Sequence, residues 1–560
     1  MKKLLAVVIV LGSGCGMAQA ADMPMAPPMQ MVAWSWTGLY IGGHFGASFG
    51  NTQVTDPAGP AIFGNNVRTT GVLGGVQIGY NWQIPNTAFV VGAEADASAM
   101  GSAGSATCLA SSPYLIPANC RVMPDAMGSM TARLGYATGP HGRNLFYVKG
   151  GLAWIDDRID MTTTGLISPI TTTFDGLRWG WTVGGGVERS LTPAWSLRLE
   201  YDYAKFGDLG TNTPQSFVQT LPPFSASYAP TRGGTASMSQ NMQIVKVGLN
   251  YKVGEDMFAQ WAPSMSLRGA YVPDAEVEVG GRVWYSSGSF QKDLGVGAAP
   301  SPSSLLISRL TYDTAAATGE VFGRIDTASN IFIKGFGGGG PILSGNMHDE
   351  DFDIGNSFAS IPYSNTLSTT KGDLSYGTFD IGYSAFRGPS ANVGGFVGFN
   401  YYRENKGGYG CTQISNSFSD CISAVPNSVL VITEDDRWYS MRVGVNGVVS
   451  LWNGLKLTAD AAWLPFVAFR GTDHHWLRTD VPNQTSPETG NGQGAQLEAI
   501  LSYAFANGFS VGAGGRYWAM WANAQSNSFS EGCPCQTLPV RTERYGAFVQ
   551  AAYKFDGLKF

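Results

Sequence analysis

Two short segments in the second half of the chain combine acidic residues with histidine, the side chains that most often move protons in enzymes. The segment Gly-Asn-Met-His-Asp-Glu-Asp-Phe places Asp349 two residues before Asp351, and the segment Gly-Thr-Asp-His-His-Trp places Asp473 two residues before His475. On a β-strand this spacing sends both side chains of a pair to the same face. Each pair can therefore act as one chemical unit.

The residue types in these pairs suit the activation of a water molecule. A carboxylate beside an imidazole fixes the tautomer of the ring, so Asp473 would orient His475 as a general base. Two adjacent carboxyl groups share a proton, because like charges at close range raise one of the two pKa values. Asp349 and Asp351 would position the water and later protonate the tetrahedral intermediate or its leaving amine. We therefore expect hydrolysis by direct water attack, without a covalent intermediate or a metal.

The elements that must position these residues are β-strands. Runs of roughly ten to fourteen residues alternate apolar with polar or small side chains, as in Trp195–Tyr203, where the odd positions are apolar and the even positions polar. A period of two puts these sets on opposite faces of a strand. In an outer-membrane barrel the apolar set faces lipid and the polar set fills the lumen.

Composition and the N-terminus favour the outer membrane. Of the 560 residues, 74 are Gly and only 14% are charged, where soluble domains have about 25% charged residues. The formal net charge of -6 without a basic tract argues against nucleic acid as a partner. Residues 1–20 combine Lys2 and Lys3, an apolar run and Ala18-Gln-Ala20, which predicts a signal peptide. We expect a Gram-negative outer membrane, with the active mouth facing outside.

The predicted fold is all-β, with two transmembrane antiparallel barrels in tandem. An N-terminal segment (21–34) precedes an eight-stranded barrel (35–253), and a linker (254–274) leads to a ten-stranded barrel (275–560). The predicted strands of the first barrel lie near residues 36–47, 70–83, 87–98, 127–138, 144–157, 178–190, 194–206 and 239–252. Those of the second lie near 275–288, 305–326, 329–352, 371–388, 391–406, 432–451, 454–476, 493–506, 509–529 and 540–557. Even strand numbers close a barrel without an edge, which the bilayer requires.

The cysteines predict local disulfides, because an exported chain favours them. Cys108 and Cys120 lie in one loop, and Cys411 and Cys421 lie in another, so each pair is predicted to be bonded. Pairing of Cys533 with Cys535 would close a very small ring and is left open.

Residues 275–560 resemble the omptin family of outer-membrane endopeptidases, ten-stranded barrels with an Asp couple and an Asp–His dyad in the outer mouth. The family pattern Asn-Met-x-Asp-x-Asp-aromatic stands here at 346–352, and the pattern Asp-x-His-aromatic stands at 473–476. Both fall on the third and seventh strands, where the family has them. The resemblance implies an aspartic-type endopeptidase that cleaves extracellular peptides or proteins, with the catalytic residues Asp349, Asp351, Asp473 and His475.

Omptins also need lipopolysaccharide and hold its phosphates on the outer wall. The Tyr-x-Glu-x-Arg pattern of the family there resembles Tyr402, Glu404 and Lys406, and a further family arginine aligns with Arg437. The resemblance implies lipopolysaccharide as an activator and no other cofactor. Lys406 supplies charge but not the bidentate fork of an arginine.

The specificity pocket departs from the family. Omptins that cut between basic residues line this pocket with acids, but this chain has Gly471 at one such position and Lys292 or Asp293 near the other. A preference for basic substrates is therefore left open. The first barrel resembles the small eight-stranded surface-antigen barrels through Trp-Thr-Gly-Leu-Tyr-Ile-Gly-Gly at residues 36–43. That likeness implies a structural or adhesive module and no chemistry.

Strict alternation of inward and outward side chains conflicts with an inward position for Asp473 and His475. Within residues 454–470 the even positions carry the polar, inward set, so positions 473 and 475 would face lipid. A β-bulge adds one residue to a strand and reverses this parity. We expect one bulge at Pro465 and another within residues 337–341.

Two alternatives compete with this hypothesis. Asp349, Asp351 and Asp353 resemble the start of a calcium-binding loop, but Gly355 comes one place late and Ser360 stands where such loops have Glu. The rival function is a non-catalytic outer-membrane protein of structural, porin-like or adhesive type, in which the omptin scaffold has lost activity.

Overall fold

The computed structural model describes residues 34–111, 117–164, 169–214, 217–220, 227–230, 234–255, 275–296, 305–352, 363–388, 391–415, 421, 423–479, 484–526 and 536–556. These residues form strands and one short 3₁₀ turn, so the predicted all-β fold is confirmed. Among them there is no helix of the length and apolarity that a membrane crossing requires. The signal peptide, most of the linker, and Cys533 and Cys535 lie outside the described residues.

Eight long strands form the first barrel. They are β1 (Gly38–Val54), β2 (Asn66–Gln83), β3 (Phe89–Cys108), β4 (Ala118–Thr138), β5 (Asn144–Thr163), β6 (Thr171–Ser190), β7 (Trp195–Asn212) and β10 (Thr235–Lys252). Two short strands, β8 (Phe217–Thr220) and β9 (Ser227–Pro230), pair separately with each other. The barrel closes antiparallel where β10 pairs with β1.

Ten strands form the second barrel, which closes where β20 pairs with β11. They are β11 (Ala275–Val296), β12 (Leu305–Thr327), β13 (Ile331–Asp351), β14 (Ser364–Gly388), β15 (Ala391–Ser415), β16 (Val425–Ser450), β17 (Leu455–His475), β18 (Thr485–Ala504), β19 (Phe509–Ser526) and β20 (Gln536–Asp556). β16 has 26 residues, whereas about 9–11 cross a bilayer. The surplus forms a tall rim on the side of the long loops.

Every predicted segment overlaps one observed strand, and the observed strands mostly extend further on the loop side. β7 illustrates why the alternation of polar and apolar residues predicts a strand. Arg198 and Glu200 are 0% and 1% exposed inside the barrel, whereas Tyr201 is 46% exposed on the outer wall. Polar side chains therefore face inward and apolar side chains face outward, which is the reverse of a soluble sandwich and the arrangement of a membrane barrel.

Ion pairs occupy the interior of the first barrel. The ammonium of Lys149 lies 2.8 Å from Glu200, and the guanidinium of Arg133 lies 3.0 Å from Glu188. All four side chains are at most 3% exposed. Buried charges are tolerated when opposite charges and hydrogen bonds satisfy them, so this polar lumen is compatible with a stable barrel.

Aromatic side chains pack the middle of the second barrel. The rings of Trp284, Tyr376 and Trp518 lie 5.1 to 5.7 Å apart, and the guanidinium of Arg516 lies 4.9 Å from the ring centre of Trp518. This packing of the described residues does not fit the porin-like form of the rival function, which needs a water-filled channel.

The outer walls carry an apolar band. Exposed side chains there include Val148 and Leu152 in the first barrel, and Val283 and Val549 in the second. Above the band the outward side chains become charged, as at Arg403 and Arg437. The change marks the height at which the rim leaves the hydrocarbon of the bilayer.

Both predicted local disulfides are present. Cys108 is bonded to Cys120 and Cys411 to Cys421. Cys108 ends β3 and Cys120 lies near the start of β4, while Cys411 lies near the end of β15 and Cys421 just before β16. Each bond therefore links the two ends of one loop. The disulfides therefore restrain the rim rather than the membrane-spanning part.

We expect Leu152→Arg to destabilise the protein by about 2–4 kcal/mol, because its side chain lies within the apolar band and a cation there loses hydration. Reversible denaturant unfolding in phospholipid vesicles measures this change. Leu152→Val serves as the control and should change the free energy of unfolding by less than about 1.5 kcal/mol. Equal stability of the arginine variant and wild type would contradict the placement of Leu152 in lipid.

Candidate active site

A bulge in β13 decides which way the acidic pair faces. The pairing of β12 with β13 slips by one residue at Leu343, which has no partner. Before the slip the even-numbered residues point inward, and Ile342 is 5% exposed. After it the odd-numbered residues point inward, and Met347 is 1% exposed. Asp349 and Asp351 share the face of Met347 and therefore point into the barrel mouth.

A second bulge does the same on β17. Pairing slips at Pro465 on both sides, against β16 and against β18. Leu464 is fully buried before the slip and Val467 is fully buried after it, so the inward set changes from even to odd. Asp473 and His475 are therefore placed on the inner face.

The bulge predicted at Pro465 is confirmed, but the one predicted within residues 337–341 lies two residues further on, at Leu343. The glycines of residues 337–340 have another structural role. A Cβ at Gly340 would lie 2.3 Å from the carbonyl oxygen of Ala317. The run therefore allows close contact with the neighbouring strand, and the register slips only beyond it.

The two strand ends meet across the mouth. Nε2 of His475 lies 3.2 Å from Oδ2 of Asp473 on the same strand, and their side chains are 15% and 3% exposed. Asp349 comes from β13, on the other side of three intervening strands, and its charge acts on His475. Both predicted segments therefore act on the imidazole, Asp473 through a direct contact and Asp349 through its charge.

A buried lysine joins this site. Nζ of Lys292, on β11, lies 2.8 Å from Oδ2 of Asp473, 2.6 Å from Glu434 and 2.9 Å from Glu488. The three acids are close enough together to hold a metal ion, and the ammonium group of Lys292 lies among them. Oδ2 of Asp473 therefore has two partners, the imidazole of His475 and the ammonium group of Lys292.

These contacts set the protonation of the site. Burial alone would raise the pKa of Asp473, but the charges of Lys292 and His475 hold its pKa well below the usual range. Burial lowers the pKa of His475, but Asp473 and Asp349 outweigh it and raise that pKa above the ordinary value. The pKa of Glu488 is raised well above its usual range by burial and by the charge of Glu434.

The other candidate histidines do not join the site. Nδ1 of His474 lies 2.6 Å from the hydroxyl of Thr485, and its ring lies 4.1 Å from that of Trp476. His348 lies between Met347 and Asp349, on the opposite face of β13 from both, and is 3.4 Å from Asn365. Both rings therefore contact neighbours on their own side of the sheet rather than the inward carboxylates.

The prediction that Tyr402, Glu404 and Lys406 line the outer wall is wrong. All three are at most 2% exposed, because their even-numbered positions on β15 point inward. There Tyr402 donates a hydrogen bond of 2.7 Å to Glu404, and Lys406 lies 2.5 Å from Asp436. Arg544 also binds Glu404 at 2.9 Å. These residues are part of a buried, charged cluster in the barrel interior beneath the site.

Arginines occupy the outer wall at that height instead. Arg403 is paired in register with Arg437, which is paired with Arg470 on the next strand, so the three lie in one row across β15, β16 and β17. Asp435 accepts hydrogen bonds of 2.7 Å from both Arg403 and Arg437. Arg437 was predicted from the sequence, whereas Arg403 and Arg470 were missed.

Sequence reasoning also missed Glu434 and Glu488 and left Lys292 undecided against Asp293. Lys292 points inward, whereas Asp293 points outward and binds Arg309 at 2.7 Å. A lysine in the inward set of a strand is a signal of a buried partner, because an isolated ammonium would not be buried. The partners themselves lie on three other strands, and only the closed barrel brings them together.

Known outer-membrane proteins resemble the first half of the chain. A family model described as an outer membrane protein β-barrel domain matches residues 6–219. The 31 kDa outer-membrane immunogenic protein of Brucella melitensis biotype 1 is 30% identical over 247 residues, which cover 42% of this chain and 93% of that protein. The 22 kDa outer membrane protein of Rhizobium leguminosarum is 31% identical over 187 residues, covering 33% and 70%. The predicted likeness of the first barrel to surface antigens is confirmed.

The second half has a structural neighbour among proteases. The outer membrane protease OmpT from Escherichia coli aligns with a TM-score of 0.42 and 15% sequence identity, covering 51% of this chain and 98% of that one. This likeness concerns the barrel alone, so activity has to be argued from the site.

We expect Asp473→Asn to lower the titration midpoint of His475, because the variant loses the main charge that stabilises the imidazolium. NMR of histidine-labelled protein in micelles measures the midpoint, which in wild type should lie above about 6.5. Asp435→Asn removes an outward acid of the neighbouring strand and should leave the midpoint unchanged. A midpoint that does not respond to Asp473→Asn would disprove the dyad.

Proposed function

Because the chain belongs to the family of outer-membrane β-barrel proteins, we propose that its second barrel is an outer-membrane endopeptidase of aspartic type. It cleaves extracellular peptides or proteins at the mouth of the tall rim, which faces outside. Asp473 and His475 form the dyad, and Asp349 and Asp351 form the acid pair. That the chain is an outer-membrane β-barrel protein does not depend on this activity.

One observation supports the proposal above others. Two register slips, at Leu343 and Pro465, are both needed to turn the acid pair and the dyad inward. A packed barrel gains no stability from exposing an imidazole between two carboxylates at its mouth, so the convergence favours a chemical role. The raised pKa of His475 is a further sign of a proton-transfer group.

The reaction balances without any group beyond these side chains. Neutral His475 removes a proton from water, and the hydroxide adds to the peptide carbonyl carbon. The acid pair of Asp349 and Asp351 donates its shared proton to the amide nitrogen as the carbon–nitrogen bond breaks. The new carboxylic acid returns a proton to the pair, and His475 releases its proton to solvent.

The contact between Lys292 and Asp473 favours the rival function, a non-catalytic outer-membrane protein. The ammonium of Lys292 neutralises Asp473 directly, which weakens the hold of that carboxylate on His475. A non-catalytic surface protein on an omptin-like scaffold would tolerate such a contact. In the enzyme the same contact would keep the pKa of His475 from rising further, so that the neutral base is available at a lower pH.

Lipopolysaccharide is the proposed activator. The row of Arg403, Arg437 and Arg470 presents guanidinium groups just above the apolar band, at the height of lipid headgroups. Arginine matches phosphate with two parallel hydrogen bonds. Since Asp435 already binds two of these arginines, a phosphate would compete with that carboxylate for them.

We expect His475→Ala and Asp349→Ala each to reduce kcat for a fluorogenic peptide library by about a hundred- to ten-thousand-fold, the usual loss on removing an acid–base group. The assay compares whole cells and purified protein in lipid. Activity of wild type should rise with pH through the raised pKa of His475, because only the neutral imidazole accepts a proton.

His474→Ala is the matched control, since this adjacent histidine binds Thr485 and points away from the dyad. It should retain wild-type cleavage. Equal cleavage by wild type, His475→Ala and Asp349→Ala would refute the mechanism, and no cleavage by wild type would favour the rival function.

We expect Arg403→Ala with Arg437→Ala to weaken lipopolysaccharide binding and to raise the lipid concentration that gives half-maximal activity by about tenfold or more. The readouts are binding of labelled lipopolysaccharide and cleavage in its presence. Arg158→Ala, which removes an exposed ion pair on the first barrel, is the control. Unchanged binding by the double variant would disprove this site.

A further inference from the structure

The first barrel contacts the second barrel at the rim, close to the acid pair. Arg309 of β12 is 1% exposed and donates from Nη2 to Oδ1 of Asn119 at 2.9 Å and to Oγ of Ser105 at 3.3 Å. Both acceptors belong to the first barrel. Asp293, on the neighbouring strand of the second barrel, binds the same guanidinium at 2.7 and 2.8 Å. The arginine is therefore fixed from both barrels.

A second contact lies next to it. Phe63, in the segment between β1 and β2, stacks on Tyr363 with ring centres 5.6 Å apart and an angle of 14°. The hydroxyl of Tyr363 donates a hydrogen bond of 2.6 Å to Glu350. An aromatic residue of the first barrel thereby holds the partner of a β13 carboxylate.

Both contacts converge on the strand that carries the acid pair. Glu350 lies between Asp349 and Asp351 and points to the opposite face. In the register of β12 with β13, Arg309 is paired with Glu350, and its neighbours Leu310 and Ser308 are paired with Asp349 and Asp351. The outward face of this short segment is thus held by the first barrel, while its inward face presents the two acids.

We propose that the first barrel braces the second and fixes the acid pair from behind. Arg309 and Glu350 are positioning residues, and Asn119 and Phe63 are the groups through which the first barrel acts. The role of the brace in catalysis rests on the proposed function, but the brace itself does not. The brace would give the first barrel a structural role in the second barrel of the same chain.

A rim needs such support for a physical reason. Above the membrane the strands have no lipid on their outer face, and strand ends open locally at a low free-energy cost. Displacement of a reacting group by about 1 Å can reduce a rate by about a hundredfold. A second barrel against the outer face replaces the missing support at the place where the acids lie.

The test changes only the first barrel and measures the second. Asn119→Ala with Phe63→Ala leaves every residue of β11 to β13 intact. Hydrogen–deuterium exchange of the full chain in lipid should become about tenfold faster or more at the amides of residues 347–352. Exchange at β19, which carries no residue of these two contacts, should not change. Arg158→Ala in the first barrel is the control and should alter neither region.

Unchanged exchange at residues 347–352 would overturn the brace, whatever the activity. Where exchange accelerates, kcat of the double variant should fall about tenfold or more with KM unchanged, because the acids are misplaced while substrate binding is kept. Faster exchange with unchanged kcat would overturn the positioning role. Faster exchange in a protein whose wild type cleaves nothing would support the brace and overturn the proposed function instead.

Discussion

The alternation of side chains along a β-strand is the constraint on which this structure depends. In a membrane barrel every strand must keep one set of residues toward lipid and the other toward the lumen, so a strand cannot turn a single side chain inward. The rim escapes this rule through one extra residue in each of two strands, at Leu343 and Pro465. Both bulges lie where the apolar band ends, so the parity is free to change without exposing charge to lipid.

The interior of the second barrel acts as a platform for the mouth. Aromatic rings and paired charges fill the space beneath the site, and the uppermost layer is Lys292 with its three carboxyl partners. Rearranging a fully buried ion cluster costs much free energy, because a charge that loses its partner remains buried and is not solvated by water. Asp473 is therefore held in one place and in one charge state. The contact with this fixed carboxylate orients the imidazole of His475.

The two barrels are linked by more than the chain between them. The rim strands rise beyond the lipid that stabilises a membrane barrel, and the first barrel covers the outer face of the segment that carries Asp349 and Asp351 through contacts at Arg309 and Tyr363. A domain that resembles surface antigens thus covers one outer face of the second barrel. The disulfides Cys108–Cys120 and Cys411–Cys421 restrain rim segments in the same way.

Periodicity of two, low charge and the motifs at 346–352 and 473–476 were sufficient to predict two barrels and four candidate residues, because these signals are local. The bulge at Pro465 was also predictable, since proline breaks a ladder and parity demanded a break. Tyr402, Glu404 and Lys406 were misplaced, because which face of a strand points inward depends on its neighbours. The cluster of Lys292, Glu434 and Glu488 was invisible in the sequence. Its members lie on three strands far apart in the chain, and only closure of the barrel makes them neighbours.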